Sequence, residues 1–178
     1  QVERLGALVT QRLDLSRLES GAVPLQRCSV ELRPLLEDVA GETRLRTTDV
    51  AVAVWVDPAG ATADGDPARV HQVLANLLDN AVRHSPAGGT VELRATKDRA
   101  GVTIEVNDEG PGISEEERSK VFERFYRADS ARSSKDGGAG LGLAIARWIV
   151  DLHGGDIRVE ARQPHGCRMV VQLPAARG

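Results

Sequence analysis

The stretch LANLLDNAVRHS, residues 74–85, sets polar side chains into a leucine-rich run. Asn76 and Asn80 stand four apart, and His84 follows four further on. On a helix these three stack along one stripe, with Arg83 beside it. Asparagine is a mediocre helix former, because its side chain competes for backbone hydrogen bonds. Ordinary solvation accounts for one such residue. A pair at one-turn spacing between leucines also fits carboxamide oxygens offered to a hard cation. Mg²⁺ takes oxygen ligands and keeps water and phosphate in its shell, so a neutral amide serves it only where phosphates bring the charge.

A second group lies in VTIEVNDEGPGI, residues 102–113. Val102, Ile104 and Val106 point to one face of a strand, and by parity Asp108 points with them toward the core. A carboxylate there is costly unless satisfied. Gly110 and Gly112 follow, where a chain must turn tightly or let something approach its backbone. The group reads either as a turn with a capping Asp or as a buried acceptor for a ligand donor such as an adenine amine. A third group, GGAGLGLAIA (137–146), places Gly138, Gly140 and Gly142 at the opening of an apolar helix. Helix N-termini bind phosphate through free amides and the dipole. The G-x-G-x-G spacing after a polar segment matches neither the dinucleotide fingerprint nor a P-loop. A flexible loop meeting a buried helix would look the same. Between the last two groups lies FERFYR (122–127), aromatic and basic.

The elements that must position these groups follow from periodicity and breakers. Residues 1–19 carry Val2, Leu5, Val9 and Leu13 at helical spacing, and Gly21 and Pro24 end that helix. Residues 28–32 predict a short strand, 33–46 a helix, 50–56 a buried strand, and 57–60 a turn. Residues 61–64 predict another short strand. Asp66-Pro67 supplies an N-cap and a first-turn proline for a helix running to His84. Segments 90–96 and 101–108 alternate and predict a hairpin. Ser114 with Glu117 three later forms a capping box for a helix over 114–125. Residues 127–138 predict a loop, 141–153 an apolar helix stopped by Gly154-Gly155, and 156–161 and 167–173 two closing strands. This order predicts an α/β (α+β) chain with helices on one face of a largely antiparallel sheet.

The bulk composition narrows the function. With 178 residues there is room for one domain with a proper core and a short appendage. A net charge of −3 with mixed signs gives no general attraction to nucleic acid or anionic lipid. Aromatics at 3% argue against stacking platforms for single strands. No apolar run approaches the roughly 20 residues needed to span a bilayer. Cys28 and Cys167 have no metal-type spacing and predict free buried thiols. The chain opens on Gln1 without a signal-peptide pattern, and is expected to be a piece of a longer protein.

Taken together, the motifs resemble the catalytic, ATP-binding domain of sensor histidine kinases, within the gyrase–Hsp90–kinase–MutL superfamily. HQVLANLLDNAVRHS resembles the asparagine box, NDEGPGI the first glycine box, FERFYR the phenylalanine box, and GGAGLGLAIARWIVDLHGG the second glycine box. LDLSRLESG resembles the end of the second helix of the dimerisation and phosphoacceptor domain. The resemblance implies a Bergerat-type two-layer sandwich over 28–178, with about three helices on one face of the sheet. A linker over 21–27 and a dimerisation helix over 1–20 would precede it.

The resemblance also implies roles. Asn80 ligates Mg²⁺ bridging the ATP phosphates, Asn76 lines the triphosphate, and Arg83 reaches phosphate. His84 stands where an aromatic often faces the nucleotide. Asp108 accepts from the adenine amine, and Gly110, Gly112 and Ile113 shape its pocket. Residues 127–139 form the lid, while Gly138, Ala139, Gly140, Leu141, Gly142 and Leu143 border the phosphates. Phe122, Phe125 and Tyr126 tie the lid base to the core, with Tyr126 and Arg127 at the nucleotide. The implied partners are the phosphoacceptor helices, a second copy of the full-length kinase and a response regulator. Nucleic acid is not among them, and the domain would be the cytoplasmic part of a membrane sensor.

The sequence departs from the family pattern at three points. Ala139 and Cys167 stand where Thr or Ser is usual. None of His71, His84, His153 or His165 has the acidic and Thr-Pro setting of the phosphoacceptor. The chain is therefore expected to bind ATP without labelling itself. Related ATPases carry a Glu at the position of Asn76, where it activates water; a carboxamide cannot take that proton. The alternatives are a hydrolase of the same superfamily and a silent nucleotide- or partner-binding module.

Overall fold

The computed structural model describes residues 16, 24–124, 126 and 140–175. The predicted helix over 1–19, Phe125, Arg127, Gly138, Ala139 and the lid segment lie outside the described residues, apart from the single position 16.

The chain runs β1 (Cys28–Glu31), α1 (Leu32–Arg46), β2 (Ala51–Asp57), β3 (Thr62–Gly65), α2 (Pro67–His84), β4 (Thr90–Asp98) and β5 (Gly101–Asn107). A one-turn α3 (Glu115–Arg118) follows, then α4 (Gly142–Leu152), β6 (Asp156–Ala161) and β7 (Cys167–Pro174). Five strands form one sheet in the order β2-β4-β5-β7-β6, and β1 and β3 pair as a separate ribbon. Only β2–β4 is parallel within the larger sheet. The mixed, mostly antiparallel sheet of the sequence reading is what the chain builds.

Burial explains the layers. Val91, Leu93, Ala95, Val102, Ile104, Val106, Met169 and Val171 alternate inward along their strands. They meet Leu32, Leu36 and Val39 of α1, Val73, Leu74 and Leu77 of α2, and Ile145 and Ile149 of α4 in one core. Helical spacing of these residues puts each apolar stripe on the sheet. Each fully buried leucine contributes roughly 1.5–3 kcal/mol. On the free edge of β2, Arg44 donates to Val52 O at 2.7 and 3.2 Å and Arg33 to Val56 O at 3.3 Å. Those guanidinium groups occupy carbonyls that would otherwise template another strand.

Two expectations need correction. The helix predicted over 114–125 is a single turn, Glu115–Arg118, and the chain beyond it turns Val121 and Phe122 into the core. The capping box is not made: Ser114 Oγ bonds the Glu117 carboxylate at 3.2 Å, with no side-chain bond to the helix backbone. The thiols also differ from the expected buried pair. Cys28, near the start of the two-stranded ribbon, is exposed, and only Cys167 is buried.

Candidate functional site

Four elements converge on one side of the helical layer. The first is the C-terminal half of α2. Asp66 starts that helix as predicted, its carboxylate accepting from the backbones of Ala68 and Arg69 at 3.1 and 3.3 Å. The leucines and valines anchor one stripe to the core and leave Asn76, Asn80 and His84 half-buried beside it. The second is the segment after β5. Asp108 is 3% exposed, as strand parity requires. Its Oδ1 accepts from Gly110 N at 2.9 Å and Cys167 N at 3.1 Å. Its second oxygen takes no hydrogen bond from any described residue.

Close approach accounts for the glycines. A Cβ on Gly110 would lie 2.4 Å from the carbonyl oxygen of His84, so the loop after β5 presses against the end of α2. Gly112 adopts φ +83, which only glycine takes without strain. Its neighbour across the gap is Gly166, a residue that sequence reasoning missed. Gly166 has φ +111, and a Cβ there would sit 2.0 Å from Asp108 O. Its only local signal is its place in the HGC triplet at the entry to the last strand. Arg162 donates to the same Asp108 carbonyl at 3.1 Å. Glu109 accepts from Thr90 N at 3.0 Å, tying the loop to β4.

The third element is the start of α4. Gly140 has φ +74, and α4 begins at Gly142 with no side-chain cap. The first amides of such a helix seek an external acceptor, and phosphate suits them. Leu141 is 1% exposed, so its side chain belongs to the core and only its backbone faces the opening. Leu143 packs partly buried on the core. Asn76 joins the first and third elements: its Nδ2 donates to Gly142 O at 3.1 Å. Asn80, one turn on, makes no hydrogen bond to another described residue.

The fourth element is the segment after α3. Phe122 is in the core, and Tyr126 is half-buried with its hydroxyl donating to Glu117 Oε1 at 2.8 Å. Ile113 lies beside the same turn, its carbonyl accepting from Arg118 Nε at 3.2 Å. Arg83 is ion-paired with Asp79 at 3.0 Å on the exposed side of α2.

Electrostatics set apart two titratable groups beside Asp108. Burial pushes the His84 imidazole below its ordinary range, partly offset by the Asp108 carboxylate and reinforced by Arg83. His84 is therefore neutral at pH 7. Burial first, and then Asp108, push the Cys167 thiol up to about 12. Among the described residues no three His, Cys, Asp or Glu side chains gather as a metal cage.

Residues 65–177 match the model of the histidine kinase-, DNA gyrase B- and HSP90-like ATPase family. The chain belongs to that family. Within it, the relatives are sensor kinases. The histidine-protein kinase/phosphatase MprB of Mycobacterium sp. strain KMS is 41% identical over 98% of this chain and 34% of its own length. A structure of mycobacterial MprB superposes with a TM-score of 0.73 at 34% identity, covering 85% of this chain and 99% of that one. Full-length ShkA in complex with AMPPNP gives 0.86 at 32% identity over 98% of this chain and 36% of that one. The chain spans about a third of the length of these curated relatives. No helix among its described residues is long and apolar enough to cross a membrane.

Proposed function

We propose that this domain binds Mg-ATP and donates the γ-phosphoryl group to a phosphoacceptor histidine of a two-component sensor kinase, for relay to an aspartate of a response regulator. Asp108, with one oxygen held by two backbone amides and the other open, accepts from the adenine amine. Its pocket is shaped by Gly110, Gly112 and Ile113, with neutral His84 alongside. The uncapped start of α4, Gly140 to Leu143, takes phosphate oxygens through its amides. The uncommitted carboxamide of Asn80 fits a cation whose remaining ligands are phosphate oxygens and water, and the absence of a carboxylate cage among the described residues suits the same arrangement. When bound, Mg²⁺ supplies charge neutralisation at the phosphates.

The observation that carries transfer over hydrolysis is Asn76. It occupies the position where related hydrolases place a carboxylate base, and its amide is engaged with Gly142 O. It braces the phosphate-binding helix and has no means of deprotonating water. Transfer to an imidazole needs positioning and charge stabilisation more than a base. The partners this reading implies are the phosphoacceptor helices, a second copy of the parent kinase and the response regulator.

Calorimetry tests the site. Asn80→Ala and Asp108→Asn are each expected to weaken Mg-ATP binding at least tenfold, and chelating Mg²⁺ to weaken the wild type likewise. Equal affinity of Asn80→Ala would remove the metal assignment. With γ-labelled ATP, the chain alone is expected to gain no acid-labile label, and to pass label to a supplied acceptor-histidine helical domain. Free phosphate in place of labelled acceptor would support the hydrolase, and tight binding with neither product the silent module.

A further inference from the structure

At the end of α2 and α4 remote from the nucleotide site, a second polar joint links the same two helices. His153, 2% exposed, closes α4. Its Nε2 lies 3.1 Å from Asp66 N and its Nδ1 2.8 Å from Ile149 O. A backbone N–H can only donate and a carbonyl can only accept. The imidazole is therefore the neutral tautomer with its proton on Nδ1. Gly65 makes room for it: a Cβ there would sit 3.0 to 3.1 Å from the ring.

Asp66 turns this joint outward. While its Oδ1 caps α2, its Oδ2 accepts from Gln26 N at 3.0 Å. The next residue, Arg27, donates to Leu152 O at the end of α4 at 3.3 Å and pairs with Asp64 at 3.5 Å. The segment entering the domain thus holds the start of α2 and the end of α4 together. The other ends of those helices carry Asn80 and Gly142, about 20 Å and 15 Å away at 1.5 Å per residue. There Asn76 bonds Gly142 O and closes the frame. Between the two helices Val70, Val73, Leu74, Ile149 and Val150 belong to the common core, and with His153 they line a small apolar void.

We infer that Asp66 and His153 are positioning residues that couple the segment entering the domain, at Gln26 and Arg27, to the nucleotide-binding ends of α2 and α4. This rests on the nucleotide reading above. Closing the frame at one end restricts the relative sliding of the two helices at the other, and coupling of this kind is reciprocal. Nucleotide that fixes Asn80 against Gly142 tightens the grip on Gln26; a displaced entry segment loosens the nucleotide site.

Amide hydrogen exchange on this chain, with and without Mg-bound non-hydrolysable ATP analogue, reads the coupling. Exchange in the peptide covering Gln26 and in that covering Asp66 is expected to slow at least threefold on saturation. His153→Leu removes the acceptor and is expected to abolish the remote response. His153→Gln, which restores an acceptor to Asp66 N, is expected to recover part of it. Arg27→Ala, on an exposed side chain that does not endanger folding, is expected to reduce the Gln26 response and weaken nucleotide binding two- to fivefold. A merely structural joint would lower the melting temperature of His153→Leu without moving the nucleotide-dependent difference. Protection around Asn80 and Gly142 with none at Gln26 in the wild type would overturn the coupling alone. No nucleotide-dependent protection anywhere would remove the nucleotide reading and the coupling with it.

Discussion

Asp108 and Cys167 exchange two hydrogen bonds. The Asp108 N–H donates to Cys167 O at 2.9 Å, and the Cys167 N–H donates to Asp108 Oδ1 at 3.1 Å. The thiol is thereby held against a carboxylate and out of water, and its pKa rises to about 12 through burial first and Asp108 second. At pH 8 it stays protonated and is a poor nucleophile. A colourless-to-yellow disulfide reagent is expected to titrate one thiol of the native protein, Cys28, and a second only after unfolding. Native Cys28→Ser should then be silent, and rapid reaction of that variant would show the thiol to be exposed and reactive. The shift also has a pH signature. The folded state keeps a proton that the unfolded thiol releases near its ordinary value of 9.0. This contribution to stability is therefore intact below pH 9 and is lost as pH rises from 9 toward 12. Strand parity in the sequence placed Asp108 inward, and it is inward. No local pattern separated Cys28 from Cys167, because burial of a thiol depends on what the fold lays over it.

At the scale of elements, α2 was legible from end to end. Its cap, its first-turn proline and its apolar stripe are local signals, and local geometry satisfies them all. The segment after Ser114 was not. Its acidic first turn promises a longer helix, yet the Glu117 side chain is taken by Ser114 and Tyr126, and Phe122 turns into the core. Gly166 was equally hidden, since its need for glycine comes from Asp108, which is 58 positions earlier in the chain. Its backbone at φ +111 and the 2.0 Å approach to Asp108 O leave no place for a Cβ. Gly166→Ala is expected to destabilise the domain by about 2–4 kcal/mol and to weaken nucleotide binding by shifting Asp108. Gly41 is the control. It lies inside α1 with nothing within 4 Å of an added Cβ, so Gly41→Ala is expected to stabilise by about 0.5–1 kcal/mol. Urea unfolding of the two variants checks the pair, and equal effects would remove the steric account.

At the scale of the molecule, one core joins the sheet to the three long helices of the described residues, so the site and the fold are expected to melt together. The outer face of the sheet takes no part in the site: it carries paired charges such as Arg158 with Glu160, and Arg94 lies 4.2 Å over the exposed Trp55 ring. A ligand that binds only the folded state stabilises it by RT ln(1 + [L]/Kd), about 2.7 kcal/mol at a hundredfold excess over Kd. For a chain of 178 residues, each kcal/mol moves the midpoint by roughly 2–4 °C. Mg-ATP at that excess is therefore expected to raise the melting temperature by about 5–10 °C in a calorimetric scan. Asn80→Ala at the same nucleotide concentration should lose most of the increment while its ligand-free midpoint stays within about 2 °C of wild type, because Asn80 bonds no other described residue. Val52→Ala, a core truncation on the edge strand away from the site, should do the reverse. It is expected to lower the ligand-free and ligand-bound midpoints together and keep the increment, since distant sites contribute additively. An increment that shrinks in Val52→Ala as much as in Asn80→Ala would mean that nucleotide reads global stability, and the assignment of Asn80 to the bound phosphates would fail.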